Sequence, residues 1–320
     1  MAEPKRWHLD LPGTRIDDAP WRIEVLEFSG SKPGPATAVL SGLTGDKPLG
    51  ILAMHDLARD LTARDIAGTV LVIPCINPFG FQAGTRHNPD LVELNRRFPG
   101  VPHGLLSDQF AYAIMRMLVD RVEAVIDVHS GTAVRTTEYI YDYGNLELSA
   151  SFAYLPVMVS RAIRGQLCTA AKAAGLDAAL VEFGGPDRNS TRKAVDGCLN
   201  MLRYRGHFAD AATGPDDVAI LSPVQAIVAS CDGILESVVG PQDVGNPIRT
   251  GVIGHLTGAV SGARLEEYVV EKPLDADTSA TLDEAPILML AQTTPSLVRP
   301  GNLLFMIGWP LERIRTPRRA

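Results

Sequence analysis

Cysteine is scarce in this chain, and what there is lies scattered. Its 320 residues include only Cys75, Cys168, Cys198 and Cys231, with no CxxC pair. That excludes a disulfide framework and a cysteine zinc site, and it fits thiols kept reduced. Long apolar runs are missing too: none approaches the ~18 residues of a membrane-spanning helix. The opening stretch, MAEPKRWHLDLPG, has no apolar segment of the secretory kind. A cytoplasmic protein with no membrane partner is therefore expected. Basic residues are in deficit, 30 Lys and Arg against 37 Asp and Glu, for a net charge of -7. A general nucleic-acid binder needs a basic face for the phosphates, so that class is excluded.

What is present describes a globular chain. Hydrophobic residues make up 46% and charged residues 21%, enough for a sizeable core. The length exceeds the ~100–200 residues of one typical domain, so two domains are expected. From about residue 20 to 205, strand-like and helix-like stretches alternate. WRIEVLEFSG, ATAVLSG, GTVLVIPCINP, EAVIDVHSG, TEYIYDYG and DAALVEFGG read as strands. PLGILAMHDLARDL, SDQFAYAIMRMLVDRV (with Ser107 as cap), QLCTAAKAAG and NSTRKAVDGCLNMLRYRGHF read as helices. Such alternation predicts an α/β fold, a mixed and mainly parallel sheet flanked by helices, over residues 1–210.

Composition shifts near ADAATGPDD, the expected linker. Beyond it, AIVAS, GILESVV, EEYVVEK, APILMLAQ and LLFMIG are short β-type runs separated by turn residues. Residues 211–320 therefore read as a small all-β barrel or sandwich domain, with a basic, flexible tail ERIRTPRRA.

In a parallel sheet, ligands bind beyond the carboxyl ends of the strands. The polar residues at those ends are Thr44, Asp46 and Lys47; Asn77, Arg86, His87, Asn95 and Arg96; Asp127, His129 and Ser130; and Glu182. Taken singly, each has a plain structural reading: His129 a hydrogen-bonded core histidine, Arg86 and Arg96 solvated loop residues, Cys75 and Tyr139, Tyr141 and Tyr143 packing residues, His55 a surface residue of a helix. Glu182 is harder to dismiss, because a carboxylate leaving the buried run AALV is costly without a partner.

Taken together, the pieces SGLTGDKPLGILAMHDLA, NPFGFQAGTRHNPDLVELNRRFPG, DVHSG and VEFGG resemble the succinylglutamate desuccinylase/aspartoacylase family, deacylases related to zinc carboxypeptidases. VRPGNLLFMIG is similar to a strand of that family's lipoyl-type barrel, which extends the resemblance over roughly residues 20–310. The resemblance implies a carboxypeptidase-like fold, and a zinc held by two His and one Glu that acidifies a water. It implies Glu182 as the general base, and Arg86 as the oxyanion and substrate-binding arginine. Asn95 and Arg96 match the clamp for a substrate carboxylate, and His129 the third zinc ligand.

The other two ligand positions depart from the family pattern GxHGxE, with Thr44 in place of His and Lys47 in place of Glu. A hydroxyl is a poor zinc ligand and an ammonium is none. The family's zinc and its absence here are thus both open, with Asp46, His55, His87 and Asp90 the nearest substitutes. Lys47 is expected to pair with Glu182 and take over part of the metal's electrostatic role. The expected function is hydrolysis of a small carboxylated N-acyl amino acid or related amide, possible without metal. The alternative is a non-catalytic protein binding a small carboxylated ligand. A third reading, a lipoyl or biotin carrier, needs an exposed hairpin lysine, and that region offers only Lys272.

Overall fold

Alternation decides which side of a strand each residue joins, and here it sorts two cores onto the two faces of one sheet. The computed structural model describes residues 3–15, 17–131, 135–159, 162–184, 188–271 and 284–318. The chain opens with strands β1 (Lys5–Thr14), β2 (Pro20–Ser29) and β3 (Lys32–Ser41). Helix α1 (Pro48–Thr62), strand β4 (Ala67–Ile73) and helices α2 (Pro78–Ala83) and α3 (Leu106–Arg121) follow. Next come β5 (Ala124–Ser130), β6 (Arg135–Thr137), β7 (Tyr139–Asp142), α4 (Leu146–Ala150) and β8 (Val157–Val159). Helix α5 (Leu167–Ala173), β9 (Asp177–Phe183) and α6 (Arg188–Arg205) complete the alternating part. The rest is β: β10 (Asp217–Val228), β11 (Gly233–Ser237), β12 (Gly251–Thr257) and β13 (Arg264–Val270), then β14 (Ile287–Gln292), β15 (Ser296–Val298) and β16 (Leu303–Arg315).

A 12-stranded sheet runs in the order β1-β2-β4-β3-β5-β9-β7-β8-β10-β16-β14-β6. Its centre, β4-β3-β5-β9, is parallel, with antiparallel pairs towards both edges. Ile126 and Val128 of β5 face Met54, Leu57 and Leu61 of α1 and Val195, Leu199 and Leu202 of α6. Val125 and Leu180 face the other way, onto Phe110, Ile114 and Leu118 of α3 and Leu167 of α5. Each such side chain contributes roughly 1.5–3 kcal/mol by leaving water. Asp127, His129 and Glu182, two apart from those residues along their strands, share the α3/α5 face.

Several expectations are corrected. Strand β1 was not legible, because its alternate residues are exposed and charged, as on many edge strands. Ser107 is not a cap: α3 starts one residue earlier, and the Asp90 carboxylate accepts from both the Ser107 N–H (2.7 Å) and its hydroxyl (2.8 Å). The tail is not loose as far as it is described. Glu312–Arg315 lie in β16, and Arg313 bridges Asp217 (2.8 Å) and Glu284 (2.9 Å).

The β-rich part has the predicted character, but its strands divide between two sheets. β10, β14 and β16 prolong the large sheet, and β13-β12-β11-β15 form the smaller one. Lys272 lies outside the described residues. Among the described residues no helix is long and apolar enough to cross a membrane.

Candidate active site

The turn after β3 is stitched to the loop after β4. Ile76 N–H donates to Ser41 O (2.9 Å) and Asn77 N–H to Gly42 O (3.2 Å). The Asn77 amide donates to Leu43 O (3.2 Å) and to Asn88 Oδ1 (2.9 Å). Only glycine permits this contact: Gly42 has φ +71°, and a Cβ on Gly45 would fall 1.8 Å from Gly80 O. The turn ends at Lys47, immediately before α1. Asp46 points to solvent while Lys47 turns inward, 6% exposed.

Inside, Lys47 Nζ lies 3.4 Å from Glu182 Oε2, as the charge of that side chain led us to expect. The other oxygen, Glu182 Oε1, faces His129 Nδ1 at 3.5 Å. His129 Nε2 meets Asp127 Oδ2 at 3.0 Å, and the Thr137 hydroxyl donates to Glu182 Oε2 at 3.2 Å. Strand register builds this row. His129 pairs with Glu182 across β5 and β9, and Glu182 with Tyr139 across β9 and β7.

Burial opposes a charge on His129, but the Asp127 carboxylate, reinforced by Glu182, outweighs it and raises the imidazole pKa to about 9. The shift favours the protonated ring, in which each nitrogen faces a carboxylate. A charge pair at the Lys47–Glu182 distance attracts by on the order of 5 kcal/mol at an effective dielectric constant of about 20. Desolvation takes back a comparable amount, so the pair fixes position more than it adds stability. Asp127 Oδ1 and Ser130 Oγ, both buried, have no hydrogen-bond partner among the described residues.

A second cluster involves the loop arginines. Arg86 and Arg96 converge on Glu93 Oε1, at 2.8 and 3.3 Å. Their side chains stay 34% and 42% exposed, open to a ligand. Tyr141 lies within electrostatic reach of both clusters. Burial raises its pKa, the Glu182 charge adds to this, and the Tyr139 hydrogen bond and Arg96 oppose it. Asn95 is drawn away into the fold: buried, it accepts the Leu167 N–H at the start of α5 (2.9 Å).

His55 and His87 are exposed and Asp90 is engaged by Ser107, so none joins the Lys47 cluster. Cys75 is a half-buried thiol whose pKa burial pushes up to about 12, a packing residue as expected. Sequence reasoning missed Glu93, Thr137 and the ion pair of Glu138 with Lys193, whose carboxylate also accepts Gly184 N–H (3.1 Å). The available signal was a Glu three residues before Arg96, within one loop.

The pattern of the succinylglutamate desuccinylase/aspartoacylase catalytic domain matches residues 33–204. The chain belongs to this family. It is 35% identical over 118 residues to the N-alpha-acetyl-L-2,4-diaminobutyric acid deacetylase of Halomonas elongata, a match covering 36% of this chain and 34% of that protein. The chain thus spans about a third of that relative's length. Solved structures agree on the fold. The product-bound ectoine utilization protein EutE (DoeB) of Ruegeria pomeroyi superposes with a TM-score of 0.79 at 22% identity, covering 96% of this chain and 95% of that one. A succinylglutamate desuccinylase from Silicibacter sp. TM1040 gives 0.77 at 22% identity, with the same coverage.

The family implies zinc, and the donor set here does not fit it. Both nitrogens of His129 face carboxylates, Thr44 offers a neutral hydroxyl, and Lys47 brings a positive charge. Among the described residues, no group of three or more His, Cys, Asp or Glu could hold a metal ion.

Proposed function

We propose that this family member is a hydrolase that cleaves the amide bond of a small N-acyl amino acid with a free carboxylate, and does so without metal. The observation that carries the reading is Glu182, a carboxylate at the end of a central parallel strand, with Lys47 at one oxygen and His129 at the other; the resemblance assigns it the proton-transfer role. The exposed Arg86 and Arg96 suit a substrate carboxylate, which would displace or share Glu93. The relative that deacetylates an N-acetyl amino acid supports the same substrate class.

In this reading Glu182 takes a proton from water as the oxygen adds to the amide carbonyl carbon. The Lys47 ammonium and Arg86 stabilise the resulting oxyanion. The C–N bond then breaks, the proton passes from Glu182 to the leaving amine, and a carboxylate and a free amino acid depart. The test is release of free amine from N-acetyl-2,4-diaminobutyrate, N-acetylaspartate and N-succinylglutamate. Release that disappears in Glu182→Gln supports the reading, and no release from any of the three by the native chain removes it.

One observation favours a second reading, a binding protein without catalysis. Both oxygens of Glu182 are already occupied by cations, as suits a charge-balanced receptor more than a base awaiting water. Calorimetric binding of the same compounds without turnover would support it.

A further inference from the structure

We propose that this pocket takes no zinc, and that the Lys47 ammonium permanently holds the ion's place. The inference rests on the family reading of the site but does not require the chain to be an active hydrolase. Lys47 reaches the site as an internal group, its side chain 7% exposed, and its Nζ stands 3.4 Å from Glu182 Oε2. His129, on the other side of the same carboxylate, has Nε2 against Asp127 and Nδ1 against Glu182. Each ring nitrogen thus faces a carboxylate oxygen of the chain, and neither is turned to an open position where a metal could sit.

Charge bookkeeping points the same way. Relative to the family pattern, exchanging a carboxylate for an ammonium raises the local charge by two units, the charge a zinc ion would have supplied. Lys47 already gives Glu182 a cation, whereas Lys47 together with zinc would place two cations side by side in a nearly dry site. Nothing nearby rebuilds a coordination shell. Asp46 and His87 face solvent, Asp90 is held by Ser107, and Glu138 is held by Gly184 and Lys193. The positive charge of the pocket is therefore covalently attached and indifferent to chelators.

The experiment uses the full chain, made without a histidine tag in zinc-supplemented medium, and measures zinc by elemental analysis and Tm with and without chelator. The expected result is less than about 0.1 zinc per chain and the same Tm in chelator as in added zinc. Thr44→His combined with Lys47→Glu is expected to take up about one zinc per chain and to lose several degrees of Tm in chelator. Near-stoichiometric zinc in the native chain that vanishes in His129→Gln overturns the proposal. Zinc retained in that variant lies elsewhere and leaves the proposal standing.

A double variant that folds yet binds no zinc also overturns it, because Thr44 and Lys47 would then not mark the ligand places. If that variant does not fold, the native zinc content decides alone. Amine release assayed in the chelated sample separates this inference from the functional reading. A zinc-free chain without turnover sinks only the function, and turnover that requires zinc sinks the present inference and the metal-free part of the functional reading while leaving amide hydrolysis standing.

Discussion

Glu182 sits between two cations that the chain supplies from distant segments, and its neighbours can be tested one at a time. Lys47→Met removes one cation and leaves His129. A drop in kcat of about 10²–10³ is expected with an unchanged circular-dichroism spectrum, and urea unfolding should show a loss of about 3 kcal/mol, since a buried carboxylate loses half its compensation. Unchanged turnover would remove Lys47 from the chemistry.

His207 is a different kind of residue, buried and neutral, bonded to Ala67 O (2.9 Å) and Thr37 Oγ1 (2.8 Å). Burial lowers its pKa from 6.5 to about 4. A histidine depressed in the folded state binds its proton more readily when unfolded, so stability is full above pH 6.5. It falls as the pH drops towards 4, by about 3 kcal/mol at the limit. Denaturation midpoints measured from pH 7 to 4 should be flatter in that window for His207→Gln than for the native chain. Parallel slopes would show that His207 does not drive the dependence.

At the scale of elements, the segment between α2 and α3 is held by its own polar side chains. Asp90 anchors the first turn of α3, and Arg97 grips Asp108 with two hydrogen bonds of 2.7 Å each. Asn95 links this segment to the start of α5. Asn95→Ala is therefore expected to cost about 1 kcal/mol of stability, as the loss of a helix-end acceptor does, with little change in KM. A raised KM at unchanged stability would return Asn95 to the substrate. Glu93→Gln weakens the tether on Arg86 and Arg96, and a several-fold change in KM for carboxylated substrates without a matching change in kcat is the expected signature.

At this scale much was legible. α1, α3, β5 and β9 follow from periodicity and turn residues, because burial on one face imposes a regular spacing. Strand β1 and the start of α3 were not, since an edge strand carries polar residues on its open side and the bond from Asp90 to Ser107 joins residues 17 apart.

For the molecule as a whole, the large sheet runs through the linker. β10 lies parallel to β8 and antiparallel to β16, while β14 pairs with β6 from the first part of the chain. Asp210 within the linker is itself gripped by Arg64 (2.6 Å) and Arg203 (2.8 Å). Removing residues 211–320 would leave β8 and β6 with open edges and uncover Tyr139 and Met158, which pack in one apolar cluster with Leu221 and Met289. Such a truncation is expected to aggregate, as read by size-exclusion chromatography, and a monodisperse, folded fragment would contradict this.

Local pattern carried the order of the central strands and helices, the shared face of Asp127 and His129 two residues apart on one strand, and the sign of the charge at position 47. Those follow from propensity and from a period of two, which act over a few residues. Tertiary structure alone decided that positions 47, 129 and 182 meet within 3.5 Å, and that Asn95 serves a helix end while two arginines share Glu93. Such contacts depend on sheet register and loop packing between segments distant in the chain, and no local pattern encodes which partners those will be.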